Sequence, residues 1–569
     1  MKRFKPIIGL LLGLAFAGAI IGSCAEEESS DDESAAPAGG DDPGSGPGQV
    51  QDDDDSATGG GEWWRRAVFL EVFVRSYYDS NGDGIGDLPG LTEKLPYLSD
   101  LGIGALWLMP IYPTRFEDSG YDVADYTDIN PEYGTLDDFE ALLAAAHARG
   151  IRIFLDGVFN HTSVAHAWFQ ESRQSRDNPK ADWYLWADEP PFDCVDPLAS
   201  ATEGERWTFD EARGQYYYHH FREGMPDLNY FNPDVRRAVL DVMRFWLDLG
   251  VDGFRLDTAH LYYEDEDYCE HHPLTREFHR AMRALLDEYD DRALVGELVG
   301  PPALAASYFG DGTDGLHMVF NFFLDYAFFA TDYLHAPELV NLVLNAENAA
   351  APPGAQWANF TANHDFYRDY DLLLRDERRL KLSSTLQLTL PGTPFLYYGQ
   401  EIGMGNGWQQ PIDYRDSART PMHWTGGRYA GFSTVTPWLA LAPNYRTHNV
   451  AVERDDPRSL LSHYRRLLRL RNSSPALKAG EMATVATADP AVYGYFRTAG
   501  AETILVLFNF AGEPRSATVW LGGTPWEGGA GVVRDLYTEE NPSPLVAGTA
   551  EYSVVLPAYG FALLRLEAD

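Results

Sequence analysis

The sequence predicts an α/β fold: a (β/α)8 barrel carrying an inserted domain after its third strand and a C-terminal antiparallel β-sandwich. Three observations predict it. From Trp63 to about Pro475, short apolar runs alternate with amphipathic stretches of helical length. Strands separated by such helices indicate βα units and a parallel sheet, and their steady repetition suits a closed eightfold barrel better than an open sheet. One interval, from His161 to about Pro233, breaks the rhythm with Trp, Tyr, Asp and Pro and no strong helix, as a small insertion would. After about Lys478 the helices stop and short strands follow one another.

The elements come in order. "AVFLEVFV" (67–74) reads as a first strand, and "LTEKLPYLSDLG" (91–102) as a helix with a Gly stop. "GALWLMP" (104–110) is the second strand, and "LDDFEALLAAAHARG" (136–150) the next helix. "IRIFLDGVFNH" (151–161) is the third strand. After the insertion come the helix "VRRAVLDVMRFWLDLG" (235–250) and the strand "DGFRLD". "LVGE" (294–297), "WANFTANHD" (357–365) and "GTPFLYYG" (392–399) continue the series. No glycine-rich dinucleotide fingerprint follows the first strand. "AVYGYFRT", "TILVLFNF", "SATVWL", "YSVVL" and "FALLRL" are the strands of the sandwich. The expected boundaries are 62–475 for the barrel, 162–232 for the insertion within it, and 476–569 for the sandwich.

Composition narrows the function. The 569 residues are 45% hydrophobic and carry 86 acids against 44 bases, a formal charge of −42. That charge argues against nucleic acid or an anionic membrane surface as a partner. The N-terminus has Lys2, Arg3 and Lys5, a short apolar run, and "IGSC" ending at Cys24. These are secretory-signal features, and the small residues before Cys24 resemble a bacterial lipobox. Residues 1–24 are therefore read as a lipoprotein signal with Cys24 lipidated. No acidic sorting residue directly follows, so attachment to the outer membrane is expected. Residues 25–61 hold twelve acids and no Lys or Arg, the composition of a self-repelling, disordered tether. Cys194 and Cys269 are the other cysteines; the sequence leaves a disulfide and two free thiols equally open.

"GVDGFRLDTAHL" (250–261) places Arg255 and Asp257 on one face of an otherwise apolar strand. Barrel enzymes carry their working residues at the C-terminal strand ends, which is where these two lie. Asp156, Asn160 and His161 follow the third strand, Glu297 ends a later one, and His364 and Asp365 end "FTANHD". A carboxylate kept ionised by a neighbouring Arg255, with a second carboxyl able to donate a proton, is the equipment for cleaving a glycosidic bond with retention. Asp257 is the expected nucleophile, Glu297 the acid/base, and Asp365 the group that steadies the oxocarbenium-like charge.

"DGVFNH", "GFRLD", "VGE" and "FTANHD", in this order, resemble the signature regions of the α-amylase family (family 13) of glycoside hydrolases, and "MPDLN" (225–229) resembles its fifth region. The resemblance runs from about Trp63 to Asp569. It implies that Arg255, His161 and His364 hold the −1 sugar and that Tyr121 in "GYDVADY" stacks on it. By resemblance to exo-acting members, Asp122 and Arg368 form a pair closing the pocket. "DSNGDGIGD" (79–87) offers hard oxygens between glycines. It is similar to a structural Ca²⁺ loop of relatives, with Asp79, Asn81, Asp83, the carbonyl of Ile85, and Asp87 as ligands. The His of the other α-amylase calcium site is replaced by Leu261.

The chain shares features with several branches: trehalose synthases in "WTFDEARGQYYYHHF", oligo-1,6-glucosidases in "RTPMHW", and lipoprotein α-amylases in "MPDLN". The expected order of activities is hydrolysis of α-1,4-glucans or maltooligosaccharides first, α-glucosidase second and trehalose synthase third. The enzyme is expected to act as a monomer on an α-glucan substrate. A surface glycan-binding lipoprotein is the non-enzymatic alternative; it would not need three acids at strand ends.

Overall fold

The computed structural model describes residues 62–192, 194, 205–407 and 415–567. Cys24, the signal-like segment 1–24 and the whole acidic stretch 25–61 lie outside the described residues.

Eight strands build the barrel: β1 (Phe69–Val72), β2 (Ala105–Leu108), β3 (Arg152–Gly157), β7 (Gly253–Leu256), β8 (Ala293–Gly296), β9 (Met318–Phe320), β10 (Gln356–Asn359) and β11 (Thr393–Tyr397). They pair in parallel and close in the order β1-β11-β10-β9-β8-β7-β3-β2. β9 has no counterpart in the sequence reading. It is three residues long and runs straight into the apolar helix Phe322–Leu334, so "MVFNFFLDYAFFA" carries no periodicity that divides strand from helix.

Local chemistry explains the helices. Thr135 and Asp138 form a capping box at the start of Leu136–His147. Asn232 caps Pro233–Leu249, which starts with proline and stops at Gly250 in the left-handed conformation. On β7, Gly253 is required by close approach: a Cβ there would lie 2.0 Å from the carbonyl oxygen of Ala293 and 2.5 Å from the Phe154 ring. That ring belongs to the aromatic plug of the barrel. Phe69 stacks on Phe395 at 4.3 Å and meets Phe154 edge-on at 5.0 Å, and Phe320 meets Phe395 at 4.9 Å. The plug forms an apolar floor, and the charged groups lie above it.

Between β3 and β7 the insertion holds a three-stranded antiparallel sheet of β4 (Trp186–Ala187), β5 (Trp207–Asp210) and β6 (Gln215–Tyr218), in the order β4-β6-β5. Cys194 of the insertion is joined in a disulfide to Cys269 in the loop after β7, which resolves the pairing that the sequence left open. The C-terminal domain packs a five-stranded sheet, in the order β12 (Glu481–Thr484), β13 (Val492–Ala499), β14 (Glu502–Asn509), β18 (Phe561–Glu567) and β16 (Val532–Asp535), against a two-stranded sheet of β15 (Arg515–Trp520) and β17 (Glu551–Leu556). Phe496, Leu505, Leu507, Val519, Trp526 and Leu564 are among the buried side chains between the sheets. Among the described residues no helix is long and apolar enough to cross a membrane.

Candidate active site

Parallel register sets Asp156 of β3 beside Arg255 of β7, with side chains on one face. Arg255 is 1% exposed and forms the hub of the mouth. Its Nη1 donates to Asp156 Oδ1 and Asp257 Oδ1 at 2.7 Å each, and its Nη2 donates to Glu297 Oε2 at 2.6 Å. Glu297 Oε2 also accepts the Thr258 amide at 3.1 Å. One guanidinium therefore holds both expected reaction carboxyls at the ends of adjacent strands.

A second cationic group faces Asp365. Arg419 Nη2 and Arg415 Nη1 donate to Asp365 Oδ1 at 3.1 and 3.3 Å. Arg415 Nη2 forks onto both oxygens of Asp118, at 2.8 and 2.9 Å, and Arg419 Nη1 donates to Ser119 Oγ at 2.7 Å. Tyr121 and His364 link the two groups. The Tyr121 hydroxyl donates to Asp156 Oδ2 at 2.9 Å and lies 2.8 Å from His364 Nε2, and the two rings stack at 5.3 Å. Trp107 Nε1 donates to Asp156 Oδ2 at 3.1 Å. His161 Nε2 is 3.2 Å from the Tyr121 carbonyl oxygen.

The electrostatics follow from burial set against these partners. Burial pushes Asp257 up to about 7; Arg255 pulls it down, and Asp156 and Asp365 push it up. Arg255 does pull Asp257 down as expected, but one guanidinium shared among three acids does not offset the whole of the desolvation and the neighbouring carboxylates. Glu297 is also raised, by burial first, against the pull of Arg255. Asp365 lies well below the usual carboxylate range, because His364, Arg415 and Arg419 overcome its burial. Burial drops His161 to about 4, so it is neutral. Asp365 is thus the firmly ionised acid of the mouth, while Asp257 and Glu297, which share Arg255, both hold protons more readily than free carboxyls.

The pair expected from Asp122 and Arg368 does not form. Asp122 is a turn residue, accepting from Thr114 Oγ1 and from the amides of Arg115 and Glu117 at 2.9 Å each. Arg368 donates to the carbonyl oxygens of Ala418 at 2.9 Å and Tyr398 at 2.7 Å, and lies over the Tyr397 and Tyr398 rings. Asp118, Arg415 and Arg419 form the charged end instead. Arg419 lies in "RTPMHW" and Asp118 two residues before "GYDVADY", but their spacing does not reveal that they meet. Glu71 was also missed. It is a lone acid in the apolar β1, the same kind of signal that singled out Arg255.

In the 79–87 loop, Asp79 accepts the amides of Gly82 at 2.6 Å and Gly84 at 2.8 Å, Asn81 that of Asp83 at 2.9 Å, and Asp83 that of Ile85 at 2.8 Å. Asp87 caps the helix Leu88–Leu101, accepting the Gly90 amide at 2.6 Å. The side-chain oxygens are turned onto the loop's own amides, and among the described residues no three acid, His or Cys side chains gather as a metal-holding cluster. The all-oxygen donor set in a tight wrap is nonetheless the chemistry that suits Ca²⁺.

A closed parallel barrel, with paired carboxyls on one arginine at its C-terminal rim and a β-sandwich behind it, defines a class of glycoside-processing enzymes. The chain belongs to the α-amylase family of glycoside hydrolases: the family described as "Alpha amylase, catalytic domain" matches residues 71–480, and "Maltogenic Amylase, C-terminal domain" matches residues 482–563. It is 41% identical over 556 residues to the trehalose synthase/amylase TreS of Mycolicibacterium smegmatis, covering 88% of this chain and 92% of that one. It is 35% identical over 511 residues to an oligo-1,6-glucosidase of Halalkalibacterium halodurans, covering 79% and 90%. The crystal structure of trehalulose synthase MutB from Pseudomonas mesoacidophila MX-45 superposes with a TM-score of 0.79 at 33% identity, covering 90% of this chain and all of that one.

Proposed function

We propose that this enzyme transfers α-glucosyl groups within short glucosides, interconverting maltose and trehalose in the manner of a trehalose synthase, with hydrolysis as the side reaction. The activity placed third from the sequence thereby moves to first. Several similar proteins, at 37% to 41% identity, carry the name trehalose synthase, and the superposing MutB is named a trehalulose synthase. The observation that carries the reading is the charged end of the pocket. A glucosyl ring with its anomeric carbon at Asp257 and Glu297 would turn its far hydroxyls to Asp365, Asp118, Arg415 and Arg419. Ionised side chains at that end favour a substrate that terminates there, such as a disaccharide, over a continuous starch chain.

In this reading Glu297 gives its proton to the glycosidic oxygen while Asp257 attacks the anomeric carbon. The C–O bond to the leaving glucose breaks, and a covalent glucosyl ester forms on Asp257. Arg255 steadies the developing charges, while Asp365 and His364 grip the ring hydroxyls and Tyr121 stacks on the ring. Glu297, now a carboxylate, removes a proton from the acceptor. If the acceptor is the anomeric hydroxyl of the retained glucose, the product is trehalose; if it is water, the products are two glucose molecules. Either course restores both carboxyls.

Hydrolysis of maltooligosaccharides is the second reading, favoured by the oligo-1,6-glucosidase relatives and by a relative named probable α-glucosidase, 38% identical. Chromatography of products from maltose, trehalose, isomaltose and starch separates the two. Trehalose from maltose, and maltose from trehalose, is the expected outcome; glucose alone from every substrate would overturn the isomerase reading. We also propose that the 79–87 loop takes a structural Ca²⁺ and that Cys24 carries a lipid anchor to the outer membrane. Chelation should lower the melting temperature, and Cys24→Ser should move the protein to the soluble fraction. An unchanged result in either removes that assignment.

A further inference from the structure

We propose that Glu71 is a positioning residue that keeps His364 doubly protonated and aimed at the substrate. The inference rests on reading His364 and Asp365 as sugar-holding groups. Glu71 lies on β1, otherwise apolar over Phe69–Val72, in register with Trp107 and Tyr397. It is 1% exposed, yet it lines the same cavity as Arg255 and Glu297, walled by Phe320, Phe360 and Phe395. A carboxyl inside an aromatic wall is costly unless it is matched. Its match is one hydrogen bond: Glu71 Oε1 lies 2.6 Å from His364 Nδ1.

The other ring nitrogen settles the charge. His364 Nε2 is 3.1 Å from Asp365 Oδ2 and 2.8 Å from the Tyr121 hydroxyl. A neutral imidazole has one N–H and would turn a bare lone pair toward either Glu71 or Asp365. An imidazolium donates to both. The groups facing this ring come from several elements. Glu71 comes from β1, Tyr121 from the loop after β2, and Asp156 from β3. Arg255 and Asp257 lie at β7, and Asp365 and Arg419 on the loops after β10 and β11. Arg419 Nε donates to the carbonyl oxygen of His364 at 3.0 Å, fixing its backbone. Burial alone would lower His364, but Asp365 and Glu71 outweigh it and hold it at about 9. Burial and Asp365 keep Glu71 above the usual carboxylate range even against the pull of His364 and Arg255; the polar partners at both ring nitrogens are what place the shared proton on the imidazole.

The consequence is a pH dependence. A raised histidine stays cationic up to its folded value and loses its charge above it. With Gln at position 71 the bond to Nδ1 survives in shape but the negative charge is gone, so His364 should deprotonate nearer neutrality. The profile of kcat/KM on maltose should show its alkaline limb moved down by about one pH unit or more in Glu71→Gln. The limb should stay near the wild-type position in Glu71→Asp, which keeps the charge. Independently of any variant's folding, ¹⁵N-histidine spectra of the wild type, with the signal assigned by its loss in His364→Asn, should show His364 titrating above pH 8. A Glu71→Gln profile coincident with wild type, or a wild-type His364 that titrates below pH 7, overturns the proposal. Absence of wild-type turnover on every α-glucoside would instead count against the proposed function, and the spectra would still decide the Glu71–His364 pair.

Discussion

Among the described residues, arginine is completely buried at the barrel mouth and at the seam behind it, and the two places use it in opposite ways. At the barrel mouth, Arg255 is surrounded by carboxylates: Asp156, Asp257 and Glu297. At the seam between barrel and sandwich, Arg471 and Arg497 are also fully buried but meet backbone carbonyls. Arg471 donates to Leu388, Leu477 and Gly392, each at 2.9 Å, and Arg497 to Gly480 at 2.8 Å and to Thr389. Burial works against the charge in both places. The acids overcome it for Arg255, whose pKa rises well above its ordinary value, whereas Arg471 falls to about 9 and Arg497 to about 10. A cation matched by titratable groups sits where charge must move. A cation matched by fixed dipoles sits where two layers must stay together.

The comparison is broken most severely at the mouth. Arg255→Met would leave three carboxyls in a desolvated site without their shared cation. They would take up protons, and Asp257 would be a poor nucleophile. Turnover on maltose should fall by at least about 10³-fold, the scale seen when a preorganised electrostatic group is removed. Asp257→Asn and Glu297→Gln should behave alike. Steady-state kinetics check this, and near-wild-type rates in any of the three would mean that the chemistry lies elsewhere.

At the seam the expected effect is on stability. Arg471→Met keeps the length of the side chain and takes a donor from four carbonyl oxygens, those of Leu388, Leu477, Gly392 and Lys478, at about 1–3 kcal/mol for each left unpaired where water cannot reach. Relief of the guanidinium's own desolvation offsets part of that cost, so a net loss of about 3 kcal/mol is expected. Denaturant melts should show the lower midpoint, and kcat should stay within about twofold of wild type. A large loss of kcat with unchanged stability would refute the division of labour.

The same contrast explains what was legible from sequence. Asp257, Glu297, Asp365, Arg255 and His364 could be read because a strand of known direction must end at the mouth, so a charged residue at its end has few other places to go. Glu71 gives the same signal in the middle of β1. No motif surrounds it, so nothing else in the sequence marks it as a site residue. Asp118 and Arg415 meet across 297 residues, and no local pattern encodes such a meeting. Strand β9 was missed for a different reason: three residues that lead into an all-apolar helix leave no periodicity to read. The Cys194–Cys269 pairing depends on where two loops come to rest, and spacing alone does not determine that.

Arg368 gives the finest test, because it lies beside the mouth but belongs with the seam. It follows Asp365 by three residues, yet it bonds carbonyls, those of Ala418 and Tyr398, and stacks on two tyrosines. If partner type decides the role, its removal should cost stability and leave substrate choice alone. Arg368→Met should change the ratio of kcat/KM for maltose over maltotriose by less than about twofold. Arg419→Met takes a donor from Asp365 and a partner from Asp118, so the far hydroxyls lose their recognition; losing a built hydrogen-bonding site is worth far more than losing packing. In that variant the ratio should move by more than about tenfold. A selectivity change in Arg368→Met as large as that in Arg419→Met would place Arg368 back in the pocket wall. It would also mean that proximity, rather than the carboxylate partner, decides which buried arginines handle substrate.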